Sequence, residues 1–174
     1  MYLARIGFVL SVFASSVCIA SDNENYIEEF FVDACLMQKA EKSSYMNELK
    51  LKGAVPTTLP GQGDLLVPTT TLKVPGPLTL VLSVNKASCG ILVMLKKEDG
   101  VDSESIVNGL RGRFSYHKKQ DQESYKSMES YVLLSTDSKF KKKPLLVRRI
   151  PNMVPLGEMF NLSLLNADEL MKAQ

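Results

Sequence analysis

Three cysteines and one histidine of this sequence are candidates for nucleophilic or redox chemistry. They are Cys18, Cys35, Cys89 and His117. A cysteine nucleophile needs a free thiolate beside a base such as histidine. One histidine without a closely spaced cysteine pair cannot form a usual zinc site. The residue types therefore identify no catalytic residue, no metal site and no cofactor.

The first 20 residues have the layout of a secretory signal peptide. Arg5 supplies a positive start, residues 6–14 an apolar middle, and Cys18 and Ala20 the small residues before a cleavage site. We predict a cleaved signal peptide at 1–20 and export of the remainder. An uncleaved anchor and a lipoprotein signal ending at Cys18 stay open, although a spanning helix needs roughly 20 apolar residues. No later segment is apolar over that length, so we expect no membrane span after the signal is removed.

Removal of the signal leaves two cysteines. An even number in an exported chain predicts a disulfide bond, because that compartment is oxidising. Only Cys35 and Cys89 can then pair within one molecule. The loop that this bond closes spans about 55 residues, and closure contributes roughly 4 kcal/mol in the chain-entropy model. Two separate buried thiols are the alternative.

A basic segment is the most conspicuous local feature of the second half of the chain. It consists of Lys139, Lys141, Lys142, Lys143, Arg148 and Arg149. One interpretation is a contact surface for lipid headgroups, nucleic acid or an acidic partner. The other is a solvated hairpin whose lysines protect a strand from edge pairing. Glu123, Glu129 and Asp137 lie nearby and dilute the positive field.

Length and charge limit the classes of function. Residues 21–174 fit one domain that can bury a core. Arg5 is the only charged residue before Asp22, so this part holds 20 basic side chains against 19 acidic ones and a net charge of +1. A charge so close to zero argues against a dedicated nucleic-acid-binding protein, which is usually strongly basic.

The start of the mature chain has a helical pattern. Apolar residues fall at helical spacing on one face: Ile27, Phe30, Phe31, Ala34 and Cys35. We predict helical structure over residues 24–52. Ser43-Ser44 is expected to divide it into two helices, and the second is expected to end at Gly53.

From residue 65 the pattern changes to the alternation typical of strands. We predict strands over 65–74, 78–84, 89–95, 128–135, 144–150 and 156–165. Pro68 makes the first an edge strand, because proline cannot donate to a ladder. The strand that holds Leu92 and Met94 is apolar on both faces, so we place it centrally. A short helix capped by Asp102 or Ser103 and ending near Gly112 separates the two groups of strands, and 115–127 is predicted to be an exposed loop.

The order of these elements predicts an α+β fold. We expect amino-terminal helices packed on one face of a five- to six-stranded, mainly antiparallel sheet, with one short helix inserted after the third strand. Such packing would bring Cys35 of the first helix next to Cys89 of the central strand.

Three short segments resemble a group of small, uncharacterised secreted bacterial proteins. They are residues 31–36 (Phe-Val-Asp-Ala-Cys-Leu), 80–83 (Leu-Val-Leu-Ser) and 88–93 (Ser-Cys-Gly-Ile-Leu-Val). The shared layout is a helix with an early cysteine and a strand with a later one, within residues 27–114. The resemblance implies a periplasmic location and the disulfide bond, and it implies no activity.

Three functions remain open. The first is a non-enzymatic periplasmic protein that binds another protein, as an accessory of a secretion or conjugation apparatus or as an inhibitor of a toxin or lytic enzyme. The second is a module that binds a small ligand or lipid in a cavity between helices and sheet, lined by Met37, Met46, Met94 and Met128. The third is a hydrolase, which would need carboxylates gathered in one cleft.

Overall fold

The computed structural model describes residues 22–58, 69–118, 128–153, 157–166 and 168. The predicted signal peptide at 1–20 lies outside these residues. The helical elements are α1 (Asp22–Phe31), a π-helical turn (Val32–Leu36), a 3-10 turn (Lys39–Glu41), α2 (Ser43–Leu51), a second 3-10 turn (Lys97–Asp99) and α3 (Ser103–Phe114). In the described part of the chain, none of the helices is long and apolar enough to cross a membrane.

The first helical segment is interrupted earlier than the serine pair predicts. The π-helical turn ends at Leu36, and Gln38 takes a left-handed backbone conformation with φ 55°. A left-handed residue reverses the chain and cannot continue a right-handed helix. Ser43 therefore begins α2 instead of breaking a helix, and α2 ends shortly before Gly53, whose φ is 96°.

Among the described residues, eight strands form one antiparallel sheet. Its spatial order is β1-β2-β3-β4-β8-β7-β6-β5. The strands are β1 (Val55–Pro56), β2 (Thr70–Val74), β3 (Thr79–Val84), β4 (Ser88–Leu95), β5 (Tyr116–Lys118), β6 (Glu129–Ser135), β7 (Leu145–Met153) and β8 (Gly157–Leu165). The α+β class and the antiparallel sheet are confirmed, but the predicted count of five to six strands is wrong.

Both additional strands are short and lie at the edges of the sheet. β1 pairs with β2 on the side away from β3. The predicted edge strand therefore has a neighbour on each side, and its placement at the edge is wrong. The remainder of that predicted strand, 65–68, lies outside the described residues. Two residues that include a proline are too few to show an alternating pattern, which is why the sequence did not reveal β1.

The second edge strand occupies the start of the predicted loop 115–127. Ser115, with φ 53°, ends α3, and Tyr116 then enters β5 and is 1% exposed. The Tyr116 hydroxyl donates a hydrogen bond of 3.0 Å to the carbonyl oxygen of Lys143. Burial of the Tyr116 ring favours a strand here, although the polar composition of the segment predicts a loop. Residues 119–127 lie outside the described residues.

The short helix α3 begins where its cap was predicted. The side chain of Asp102 accepts a hydrogen bond from the backbone N–H of Glu104. The helix continues past Gly112 to Phe114, and because β1 precedes the other strands it follows the fourth strand of the chain instead of the third. Arg113 of α3 forms an ion pair of 2.6 Å with Glu28 of α1.

The two faces of the sheet differ in what packs on them. One face, here called the cluster face, shares a continuous buried cluster with Ile27 and Phe31 of α1 and with Ile106 and Leu110 of α3. Its central strands contribute Leu80, Leu82, Ile91, Val93, Phe160, Leu162 and Val147. The opposite face is here called the open face. Val81 of the open face is the one buried hydrophobic residue of the described chain that does not belong to the cluster.

Candidate functional site

The disulfide bond joins the π-helical turn to the centre of the sheet. Cys35 and Cys89 are bonded, as the sequence predicts, with their Cα atoms 5.3 Å apart. Their exposures are 1% and 7%. The bond therefore lies in the core, where it connects the helical start of the chain to β4. A cystine in this position has no free thiolate and does not form a nucleophile with His117.

The lysines of the predicted basic segment lie in the turn between β6 and β7. Phe140, which is 3% exposed, holds this turn against the core. Its ring meets Phe114 edge-on with the ring centroids 5.4 Å apart. Because the aromatic ring takes the inward position, its neighbours Lys139 and Lys141 project into solvent. Lys142 pairs with Asp168 at 3.3 Å.

The two arginines of the predicted basic segment do not join the lysines in one surface. Arg148 and Arg149 are consecutive residues of β7, and side chains alternate between faces along a strand. Arg148 lies on the open face, opposite Asn161 of β8. Arg149 lies on the cluster face. The structure therefore divides the six residues into a basic turn and two single arginines on opposite faces.

Arg149 is the centre of an ionic cluster that connects α3 to the sheet. Its Nε lies 2.9 Å from Glu158 Oε1, and its Nη1 lies 3.2 Å from Glu104 Oε2 and 3.4 Å from Glu129 Oε2. Ser103 Oγ donates a further hydrogen bond of 2.7 Å to Glu158. Partial burial lowers the pKa of Arg149, but the hydrogen bond to Glu158 and the three carboxylates outweigh it, so the pKa is raised.

The same cluster affects a neighbouring tyrosine. Burial, with a further contribution from the charge of Glu104, raises the pKa of Tyr131 to about 12. Three carboxylates are gathered here, as a hydrolase would require, but all three are paired with the single guanidinium of Arg149. This arrangement fixes the first turn of α3 against β7 and β8.

The open face presents three rows of side chains across β3, β4, β8 and β7. The first row is Ser83, Gly90, Ser163 and Leu146; the second is Val81, Leu92, Asn161 and Arg148; the third is Thr79, Met94, Met159 and Ile150. Arg148 is the only charged residue in these rows, and it is exposed. The apolar side chains of β4, β7 and β8 in these rows are half-buried, whereas Ile91, Val93 and Leu162 on the cluster face are fully buried.

A groove of about 440 Å³ runs over this face. Its apolar walls come from Leu92, Met128, Ile150 and Met159, with Arg148 at one side. The remaining lining residues are Ser83, Ser88, Gly90, Asn161 and Ser163. All of the described lining residues belong to the sheet or directly precede β6, so the described part of the chain forms the walls and the floor of the groove from a single layer.

The floor of the groove depends on a glycine and on a polar pair whose hydrogen bonds are internal. A Cβ atom on Gly90 would lie 2.6 Å from Ser163 Oγ and 2.8 Å from the carbonyl oxygen of Leu162. Ser163 Oγ donates to Asn161 Oδ1 at 3.0 Å, and Asn161 Nδ2 donates to the carbonyl oxygen of Ile91 at 3.1 Å. These hydrogen bonds engage the side-chain amide of Asn161. Arg148 is the charged side chain among the described residues that line the groove.

A second groove of about 780 Å³ lies between α2 and the ends of β2 and β3. Met46 and Val84 form part of its surface, and Lys50 and Lys86 are its basic residues. Met94 and Met128, in contrast, lie on the open face. The four methionines that the sequence assigns to one cavity are therefore separated.

His117 is exposed on β5, where it pairs with Leu134 of β6. Among the residues that the structure describes, no group of three or more His, Cys, Asp or Glu side chains could hold a metal ion.

Sequence reasoning did not identify the open face as a candidate site. The available signal was in β4, where Leu92 and Met94 alternate with Cys89, Ile91 and Val93. The apolar residues on both faces of β4 predict a central strand, and this is confirmed. The second face of β4 is not covered by any helix that the structure describes. Comparison of the chain with protein-family models, with curated protein sequences and with solved structures finds no match.

Proposed function

We propose that this protein is an exported, non-enzymatic binding module whose open face docks onto another protein. The observation that carries the proposal is the groove on that face, which is apolar along Leu92, Ile150 and Met159 and to which the described residues contribute a single layer. Protein domains bury each apolar sheet face against another layer. A partner protein would supply the layer that the described chain does not.

The shape of the groove favours a protein over a small molecule. Pockets for small ligands usually enclose about 70–90% of the ligand surface. A ligand on a single sheet layer would leave its outer side in water. A protein surface of similar curvature would instead cover the groove and its rim together.

The composition of the open face also fits protein binding. Contiguous apolar patches on a protein surface commonly mark interaction sites. Met94, Met128 and Met159 have unbranched, flexible side chains that adapt to the shape of a partner. Arg148 is of the residue type enriched in the energetic centres of interfaces.

Two observations support export. The layout of residues 1–20 is that of a signal peptide. The cystine of Cys35 and Cys89 belongs in an oxidising compartment. We therefore expect the partner in the same compartment, which for the group that the sequence resembles is the periplasm. An accessory of a secretion or conjugation apparatus, or an inhibitor of a toxin or lytic enzyme, would have this architecture.

Photo-crosslinking in cells that naturally produce the protein tests the proposal. A benzophenone amino acid is placed at Met159 on the open face or, as a control, at Leu51, which is 89% exposed on α2. We expect one discrete adduct from position 159 that disappears with Ile150→Ser, and no such adduct from position 51. Adducts of equal yield from both positions, or none from position 159, would contradict the proposal.

The second groove favours a second candidate function, the binding of a small polar ligand. Its volume of about 780 Å³ lies in the range of ligand pockets, and its walls come from α2 as well as from the sheet, with polar residues such as Asn47, Asn85 and Lys86 among them. Native mass spectrometry of the protein purified from its own compartment tests this function. A bound small molecule that is lost in the variant Lys86→Ala would support it, and an unliganded mass would count against it.

A further inference from the structure

We infer that the segment which docks on the open face is an amphipathic α-helix of a partner protein, with a carboxylate that pairs with Arg148. This inference rests on the proposed function, because it specifies the chemistry of the partner. It uses the register of the sheet, the charge of the open face and the small residues of its floor.

The backbone of the sheet favours a helix over an extended segment. Each of β3, β4, β8 and β7 is paired on both sides, so the face offers side chains but no ladder for another strand. An extended segment lying on this face would bury backbone N–H and C=O groups without partners, which is costly. A helix satisfies its own backbone groups and can place one apolar stripe in the groove.

Charge complementarity favours a carboxylate. Arg148 is the only charged side chain in the three rows of the open face, and no carboxylate of the described residues forms an ion pair with it. The strand carboxylates Glu129 and Glu158 belong to the ionic cluster on the opposite face. A partner that covers Arg148 without supplying a negative charge would leave a cation buried and unpaired. Guanidinium and carboxylate groups form charge-assisted hydrogen bonds that are short and directional.

The same charge distribution argues against a second copy of this chain as the occupant. Two open faces placed together would bring Arg148 of each molecule into an interface without carboxylates from the described rows. Like charges in a desolvated interface disfavour association. The occupant therefore differs from the open face in charge.

The positions of Gly90 and Arg148 define a spacing for the helix. Gly90 lies on β4 and Arg148 two strands away on β7, two residues farther along the sheet. At about 4.8 Å between strands and 3.3 Å per residue, the two positions are about 12 Å apart. A helix rises about 1.5 Å per residue, so residues about seven or eight apart on one helix face match this distance. We expect a large apolar side chain over the small floor residues and an Asp or Glu about two turns away.

A displayed library of helical peptides, selected against the full mature protein, tests this inference. Apolar positions of one helix face are randomised together with the positions seven and eight residues from its central apolar residue. Clones are retained when they bind the wild type and fail to bind Met159→Ser, a substitution on the open face. We expect Asp or Glu to be enriched at one of the two distal positions.

Affinities of a selected peptide and its Glu→Gln twin then measure the ion pair. We expect the twin to bind the wild-type protein about tenfold more weakly and to bind Arg148→Gln no differently from the parent peptide. Lys141→Gln, which removes one exposed charge from the basic turn, is the matched control and should preserve the tenfold difference. Thermal unfolding of each variant confirms that it is folded.

The two proposals fail in different ways. Peptides that bind the open face without enrichment of a carboxylate would overturn the inferred ion pair and leave protein binding in place. A library without any binder sensitive to Met159→Ser would overturn the proposed docking face itself. Dodecanoate is the alternative ligand. If it competes with the selected peptides, binds as tightly as they do and loses affinity in Arg148→Gln, the groove would be assigned to a fatty acid and the helix would be overturned.

Discussion

Arg148 and Arg149 are adjacent in β7 and serve opposite faces of the sheet. Arg149 is 22% exposed and contacts the carboxylates of Glu104, Glu129 and Glu158. Arg148 is exposed opposite Asn161 in the groove of the open face. One arginine connects a helix to the sheet, and the other is exposed on the open face. The basic pair of the sequence thus separates into a residue of the ionic cluster and an exposed residue on the opposite face.

Replacement of the two arginines should affect stability very differently. We expect Arg149→Gln to lower the free energy of unfolding by about 2 kcal/mol, because it leaves three carboxylates, among them the partly buried Glu158, close together without their cation. Arg148→Gln should change it by less than about 0.5 kcal/mol, as is usual for an exposed side chain. Urea denaturation followed by circular dichroism measures both values. A loss of stability for Arg149→Gln that is as small as the one expected for Arg148→Gln would show that Arg149 does not stabilise the contact between α3 and the sheet.

The disulfide bond should contribute strongly to stability. The cysteines are 54 residues apart, and closing a loop of this length contributes about 4 kcal/mol in the chain-entropy model. We expect the double variant Cys35→Ala/Cys89→Ala to unfold at much lower urea concentration than the wild type. The reduced wild-type protein is the matched comparison and should lose a similar amount. A double variant as stable as the oxidised protein would contradict this expectation.

Gly90 should be required by the close contact between β4 and β8. Gly90→Ala places a methyl group against Ser163 and the backbone of Leu162, and overpacking of this kind costs about 1–3 kcal/mol. Gly112 in α3 is the matched control, since a Cβ there meets no atom within 4 Å. Gly112→Ala should stabilise the protein by about 0.5–1 kcal/mol through helix propensity. Thermal unfolding of the two variants tests whether the signs differ.

Partly buried tyrosines should make the protein sensitive to alkali. Burial, together with the charges of nearby carboxylates, raises the pKa of Tyr45 and of Tyr131 to about 12, from an ordinary value of 10.0. The unfolded chain loses these protons first, so stability is complete below pH 10 and falls as the pH rises towards 12. Absorbance at alkaline pH should show tyrosines ionising late, and Tyr131→Phe should remove part of the loss of stability. Ionisation of every tyrosine near pH 10 in the folded protein would contradict this prediction.

Export predicts the mass of the native protein. Removal of the predicted signal peptide would leave a chain that begins at Ser21 or within a few residues of it, and reduction of the bond between Cys35 and Cys89 should add two hydrogens to its mass. Intact mass measured with and without reduction and alkylation tests both features. A chain that retains Met1 and has free thiols would place the protein in another compartment.

Sequence patterns alone determined the fold class and most of the strands. Alternation in residues 78–84, 89–95 and 156–165 predicted β3, β4 and β8, because a half-buried strand repeats every two residues. The cysteine count determined the pairing of Cys35 with Cys89. These properties depend on local periodicity or on elimination, and both can be read without coordinates.

Tertiary structure decided the rest. The edge strands β1 and β5 are too short for a periodic pattern, and they form because a neighbouring strand offers unpaired backbone groups. The separation of Arg148 from Arg149 depends on which strand face meets α3. Whether the second apolar face of β4 is covered also depends on contacts between elements distant in the sequence. Local sequence indicates whether a segment prefers a helix or a strand. The candidate site depends instead on which face of the assembled sheet the described helices do not cover.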